Sequence, residues 1–159
     1  MANVNISVLI AAKYDEKDNS ITSVIDEFDY DENGNDFSVV FIVNGCKDEN
    51  SPLEYDFFIR KLEEEKENTK NKFMYLFSAE LDIDGASGEN GGRSFPSGYP
   101  NGFFSIGGEN VNVSFAGKGY YELEVFQVKS DEEKNSIERY REYRENNITP
   151  AALYCFEVK

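Results

Sequence analysis

Apolar side chains recur at every second position along much of the chain, which is the period of a strand with one covered face. Val4, Ile6, Val8 and Ile10 alternate with Asn5 and Ser7. After the turn-like Asp15-Glu16-Lys17-Asp18-Asn19, a second run extends from Ile21 to Phe28. Phe37, Val39, Phe41 and Val43 mark one face of a third run, whose other face is also apolar at Val40 and Ile42, so both of its faces are expected to be covered. Leu53, Tyr55, Phe57 and Ile59 alternate with Glu54, Asp56 and Arg60, the signature of a strand with one wet face. Phe73 to Ile83 repeats that pattern. Val111, Val113 and Phe115 are separated by Asn112 and Ser114, Tyr121, Leu123 and Val125 by Glu122 and Glu124, and Leu153 to Val158 closes the molecule.

About eight or nine short strands separated by turn signals predict a mainly β chain, an antiparallel β-sandwich forming a single domain over 1–159. A parallel α/β arrangement is disfavoured because no amphipathic helix follows each strand. One helix is expected near 131–146. Ser130 lies three residues before Glu133, the following stretch is rich in helix formers, and Asn146, Asn147 and Pro150 stop it. Its apolar stripe, Ile137, Tyr140 and Tyr143, is thin, so the helix should lie on the surface between the last two strands. Lys61 to Asn71 is a charged run with Leu62 as its apolar residue. The stretch from Gly85 to Gly102, with Pro96 and Pro100, carries no strand or helix pattern and presents Phe95 and Tyr99. Loops of that length in a domain are commonly functional, which makes Phe95 and Tyr99 candidate partner contacts.

Composition narrows the chemistry. The chain has 159 residues, 31 acids against 16 bases, and neither histidine nor tryptophan. Histidine-based nucleophile activation and acid/base devices are thereby excluded, and two distant cysteines cannot build a zinc site. A net charge of −15 opposes direct binding to nucleic acid or to anionic membrane, since both depend on neutralising negative charge with Lys and Arg. The amino-terminal segment lacks the features of a secretory signal, and no stretch approaches the roughly 18 apolar residues of a membrane span. Cys46 and Cys155 fit no disulfide spacing pattern, so a cytoplasmic setting with reduced thiols is expected.

The charge is uneven. Nine acids and one base, Lys17, fall between Asp15 and Asp36. Within that stretch Asp29-Tyr30-Asp31-Glu32-Asn33-Gly34 matches the first half of a calcium loop, in which alternate oxygen ligands converge on one cation. The twelfth position of such a loop would be Val40, where an EF-hand needs glutamate, so Asp29, Asp31 and Asn33 are candidate ligands of a different type of calcium loop only. A second acidic turn places Asp82 and Asp84 two apart on a strand ahead of Gly85, with the same potential. The same residues also suit a plain turn, Asn33-Gly34 being a strong hairpin signal. No other cofactor is implied. Glu27, Asp29 and Asp31 alternate with Phe28 and Tyr30; on a strand they would stand about 6.8 Å apart on one face, close to the spacing of successive phosphates. Such a row could occupy the basic groove of a nucleic-acid-binding protein.

The closing pattern carries a resemblance. Gly117-Lys118-Gly119-Tyr120-Tyr121-Glu122-Leu123-Glu124-Val125, followed by Phe156-Glu157-Val158, resembles the G-x-Y-x-x-x-V and terminal F-x-V strands of small β-sandwich families. The opening pair of strands, Val4 to Ala12 and Ile21 to Phe28, is similar to the first hairpin of an uncharacterised bacterial family. The resemblance implies a fold and brings no catalytic residues with it; the inserted helix and the glycine-rich loop depart from it. Abundant Asn, Ile, Lys and Tyr fit an AT-rich bacterial or phage genome.

The leading functional expectation is a non-enzymatic acidic β-sandwich that binds a protein partner, a basic one where charge decides, through Glu27, Asp29 and Asp31 or through Phe95 and Tyr99. The alternatives are a phage or mobile-element inhibitor acting by nucleic-acid mimicry, and a calcium- or ligand-binding module. Oligomeric state is not legible in the pattern.

Overall fold

A computed structural model of the chain describes residues 3–46, 53–62, 73–81, 93–94, 102–129 and 134–159. Backbone groups in the alternating segments pair into two sheets, as strands with one apolar face must. The strands are β1 (Asn3–Asp15), β2 (Ser20–Val24), β3 (Glu27–Phe28), β4 (Asn35–Cys46), β5 (Leu53–Leu62), β6 (Phe73–Leu81), β7 (Arg93–Ser94), β8 (Gly102–Val113), β9 (Gly119–Gln127) and β10 (Ala152–Val158); helix α1 (Ser136–Glu145) falls between the last two. The fold is mainly β and of the two-sheet sandwich class that the alternation predicts. One sheet runs β2-β1-β4-β8-β7 and the other β3-β10-β9-β5-β6. Contacts group the strands into two compact units, each built on one sheet.

In the first sheet β4 is central. Phe37, Val39, Val40 and Phe41 are all buried, so both faces of β4 are covered as its doubly apolar sequence implies. Antiparallel register with β1 pairs Ile6 with Val43, Val8 with Phe41 and Ile10 with Val39. The opposite face carries Ala11, Tyr14 and Val40, with Leu9 and Ile106 packed against them. Tyr14 is tied down there: its N–H donates to Ser38 Oγ at 3.0 Å and its hydroxyl to Asn19 Oδ1 at 2.5 Å. Asn19 itself takes a left-handed φ of 55°, which closes the β1–β2 turn.

In the second sheet one face is apolar and aromatic. Tyr55, Phe57 and Ile59 of β5 meet Tyr121, Leu123 and Val125 of β9, which in turn meet Phe156 and Val158 of β10. Phe28 and Phe115 complete it, with Phe28 5.6 Å from Phe115 and 5.5 Å, edge-on, from Phe156. The other face bears Asp56, Phe58 and Arg60 opposite Phe126, Glu124 and Glu122.

Two expectations change. The run Ile21 to Phe28 is not one strand. β2 pairs antiparallel with β1, whereas Glu27 and Phe28 pair in parallel with Glu157 and Val158 of β10. The chain leaves β1 after Ile25, whose N–H donates to Ile10 O, and Asp26 O then accepts from Glu157 N–H. The polar face of β5 and β9 is not wet either. Asp56 and Glu124 are both fully buried, because α1 lies across them.

Candidate interaction surface

Helix α1 starts at Asn135 rather than at Ser130, which lies outside the described residues along with Glu133. Asn135 Oδ1 accepts from Glu138 N–H at 2.9 Å, and Glu138 Oε2 accepts from Asn135 N–H at 3.2 Å, a reciprocal capping box. Asn146 caps the other end, and Asn147, at φ 51°, turns the chain away. Ile137 points to solvent. The face turned to the sheet is Arg139, Tyr140, Tyr143 and Arg144, two adjacent pairs repeated four residues apart on one side of a helix.

Each arginine meets a buried carboxylate. Arg139 Nε and Nη2 donate to the two oxygens of Asp56 at 2.7 and 2.8 Å. Asp56 also accepts from Ser78 Oγ at 2.6 Å and Tyr143 Oη at 3.2 Å. Glu124 accepts from Tyr140 Oη at 2.9 Å and from Arg144 Nη2, with Arg60 Nε 3.4 Å from its Oε1. Aromatic rings fill the space between: Tyr140 stacks on Phe73 at 4.0 Å and lies 4.5 Å from Phe58, and Tyr143 stacks on Phe126 at 4.6 Å. Burial pushes the Glu124 carboxyl above its usual range against the opposing pull of Arg144, Tyr140 and Arg60. Burial likewise raises the phenols of Tyr140 and Tyr143, each further raised by its carboxylate neighbour, and pushes Tyr55 up to about 12. The donors of Arg139, Tyr140, Tyr143 and Arg144 engage the two buried carboxylates and so fasten α1 to the sheet, whereas Arg60 Nε is buried beside Glu124 without a hydrogen-bond partner.

Beyond the helix, the same face of β9 and β10 is exposed. Glu157 faces Tyr120, Cys155 faces Glu122, and Leu153 faces Glu124 in register. Tyr120 is 62% exposed and Leu153 50% exposed, and Cys155 is exposed as well. Glu122 receives Arg60 at 3.5 Å and the Cys155 thiol at 3.7 Å. Partial desolvation, with Glu122 adding to it, raises the Cys155 pKa. The result is an exposed strip in which Tyr120 and Leu153 stand at opposite ends with Glu122 and Cys155 between them.

The residues expected from sequence are placed as follows. Glu27 is exposed on β3 and pairs with Lys159 Nζ at 2.9 Å, beside Glu157. Asp29 and Asp31 are exposed past the end of β3, so the row of carboxylates on one extended face stops at Phe28. The reason is local hydrogen bonding. Asp31 Oδ1 accepts from Asn33 N–H at 2.8 Å, Asp31 O accepts from Gly34 N–H, and Asn35 Nδ2 donates to Asp29 O at 3.0 Å. These bonds curl the segment into a turn. Asp82, Asp84, Phe95 and Tyr99 lie outside the described residues. Among the described residues no group of three or more His, Cys, Asp or Glu side chains is placed to hold a metal ion.

A hollow of about 180 Å³ opens where Tyr143 and Ile148 meet Gln127 and Val128. It is smaller than the roughly 300 Å³ at which ligand pockets begin. Sequence reading missed Tyr120, Leu153 and Cys155. The available signal was Leu153-Tyr154-Cys155-Phe156, apolar on both parities in a strand with one covered face. No helix among the described residues is long and apolar enough to cross a membrane. Comparison with protein-family models, curated proteins and solved structures finds no match to this chain.

Proposed function

We propose that this chain is a non-enzymatic module that binds a basic protein partner. The observation that carries the reading is the exposed strip on β9 and β10, where Tyr120 and Leu153 are set among Glu122, Glu157 and Glu27. Large exposed apolar side chains interleaved with carboxylates supply contact area, while the carboxylates select the partner and speed its approach. The commitment of the buried acids to α1 supports the same view, since it leaves the exposed acids as the ones available to a partner.

Affinity capture on the immobilised chain tests this. At about 50 mM salt a partner is retained, and about 500 mM releases it, because screening erodes contacts between exposed charges. Replacing Tyr120 and Leu153 together by serine removes retention while the melting temperature holds. Undiminished retention by that double variant would overturn the reading.

A further inference from the structure

The geometry points to a mode of binding for this same surface: the partner adds an extended, basic segment as a further strand along the edge of β10, beside residues 152–156. This inference rests on the binding-module reading above and names how the partner is held.

Four observations carry it. First, β10 is an incompletely covered edge. On one side it pairs with β9 along its length, but on the other β3 pairs with Glu157 and Val158 only. Glu157 N–H donates to Asp26 O at 3.0 Å and Lys159 N–H to Phe28 O at 2.8 Å. Backbone groups of alternate residues face the same edge of a strand, so those of Leu153 and Cys155 face it too, and among the described residues no strand pairs with them. Second, β3 cannot extend to cover them. The chain approaching β3 comes from Ile25, whose N–H is held by Ile10 O.

Third, the edge is not protected. Exposed edges are normally blunted by lysine, proline, a bulge or inward charges. Ala152-Leu153-Tyr154-Cys155-Phe156 is a run of five uncharged residues in a chain that is 30% charged. Fourth, charge selects the occupant. Asp26 lies on this edge and raises the Tyr154 phenol, second to burial, and Glu27 and Glu157 flank the vacant stretch with Lys159 as counter-cation. A second copy would bring another net charge of −15 to the contact, whereas a segment alternating apolar and basic residues sets its apolar side chains beside Leu153 and Cys155 and its basic ones on the opposite face, where Asp26 lies near Tyr154. Main-chain bonds give such an added strand its affinity and alternate side chains its specificity.

The test uses the whole chain, isotope-labelled, with three acetylated and amidated octapeptides as probes: alternating valine and lysine, the same peptide N-methylated at alternate amides, and alternating valine and glutamate. The valine-lysine peptide is expected to shift the amide signals of Leu153 and Cys155 and to slow their hydrogen exchange. N-methylation, which removes the ladder bonds, is expected to weaken binding about ten-fold or more, and the glutamate peptide is expected not to bind. Equal affinity of the methylated and unmethylated lysine peptides, with shifts centred on Tyr120 and Glu122, would overturn strand addition while leaving the binding surface intact. Equal binding of the glutamate peptide, or concentration-dependent shifts at Leu153 and Cys155 with no peptide present, would also overturn the proposal, the latter in favour of a second copy. Failure of every peptide to bind would count against the surface as well as its mode.

Discussion

Arg139 and Asp56, 83 residues apart, form a two-pronged ion pair in which Nε and Nη2 of the guanidinium engage the two carboxylate oxygens at 2.7 and 2.8 Å. The fork holds α1 to the second sheet, and the hydrogen bond to Asp56 raises the already high pKa of Arg139. Because Asp56 is fully buried, removing one partner strands the other without water to replace it. Asp56→Ala and Arg139→Ala should each lower unfolding stability by about 3 kcal/mol in urea titrations. Arg139→Lys should cost less, since it keeps the charge and loses the fork. A loss below about 0.5 kcal/mol for Asp56→Ala would place the pair among ordinary surface contacts.

The second carboxylate gives a pH signature. Glu124 faces Arg60 from β5 and Tyr140 and Arg144 from α1, and its carboxyl is raised chiefly by burial. A carboxyl raised in the folded state holds its proton longer there than in the unfolded chain. Its contribution to stability is therefore full below the ordinary glutamate range and is lost as pH rises through the folded value. Wild type minus Glu124→Gln stability should increase as pH is lowered from neutrality toward the ordinary carboxyl range. Melting curves across that window check the sign, and a difference that shrinks on acidification contradicts the assignment.

In the first sheet, Gly108 lies directly under the Tyr14 ring. A Cβ added there would meet Tyr14 Cδ1 and come within 2.7 Å of Cγ. The ring has little freedom to retreat, since both its backbone N–H and its hydroxyl are hydrogen-bonded. Gly108→Ala should therefore cost about 1–3 kcal/mol, the usual range for overpacking, whereas Gly108→Ala combined with Tyr14→Ala should recover the steric part of that loss. Additive effects in the double variant would show that the two positions do not press on one another.

Cys155 offers a probe of the exposed strip. Its raised pKa keeps the thiol protonated at mildly alkaline pH, so alkylation by iodoacetamide at pH about 8 should be slower than for an unstructured peptide thiol. Glu122, 3.7 Å from the sulfur, contributes to that shift. Glu122→Gln should accelerate modification of Cys155 as followed by peptide mass spectrometry, and an unchanged or slower rate would refute the coupling.

Much of the architecture was legible from the alternation itself. A period of two requires that residues such as Tyr121, Leu123 and Val125 share a face, and burying that face leaves few options other than paired sheets. The doubly apolar β4 and the helix between the last two strands followed from the same reasoning. The acidic turn was legible as well, since Asp31 and Asn33-Gly34 carry their own local hydrogen bonds wherever the chain goes.

Which face meets water, and what covers it, belonged to the tertiary structure. Glu54, Asp56, Glu122 and Glu124 look alike in sequence, yet Asp56 and Glu124 are enclosed while Glu54 and Glu122 retain some exposure. The difference arises from where α1 places Arg139 and Arg144, and a guanidinium compensates a buried carboxylate only when it arrives within hydrogen-bonding distance. The break at Ile25-Asp26 and the parallel pairing of β3 are likewise set by distant backbone partners, Ile10 and Glu157. Alternation therefore assigned side chains to faces within each strand, while the long-range pairings decided that β3 covers β10 only at Glu157 and Val158 and that, among the described residues, no strand pairs with Leu153 and Cys155 on that side.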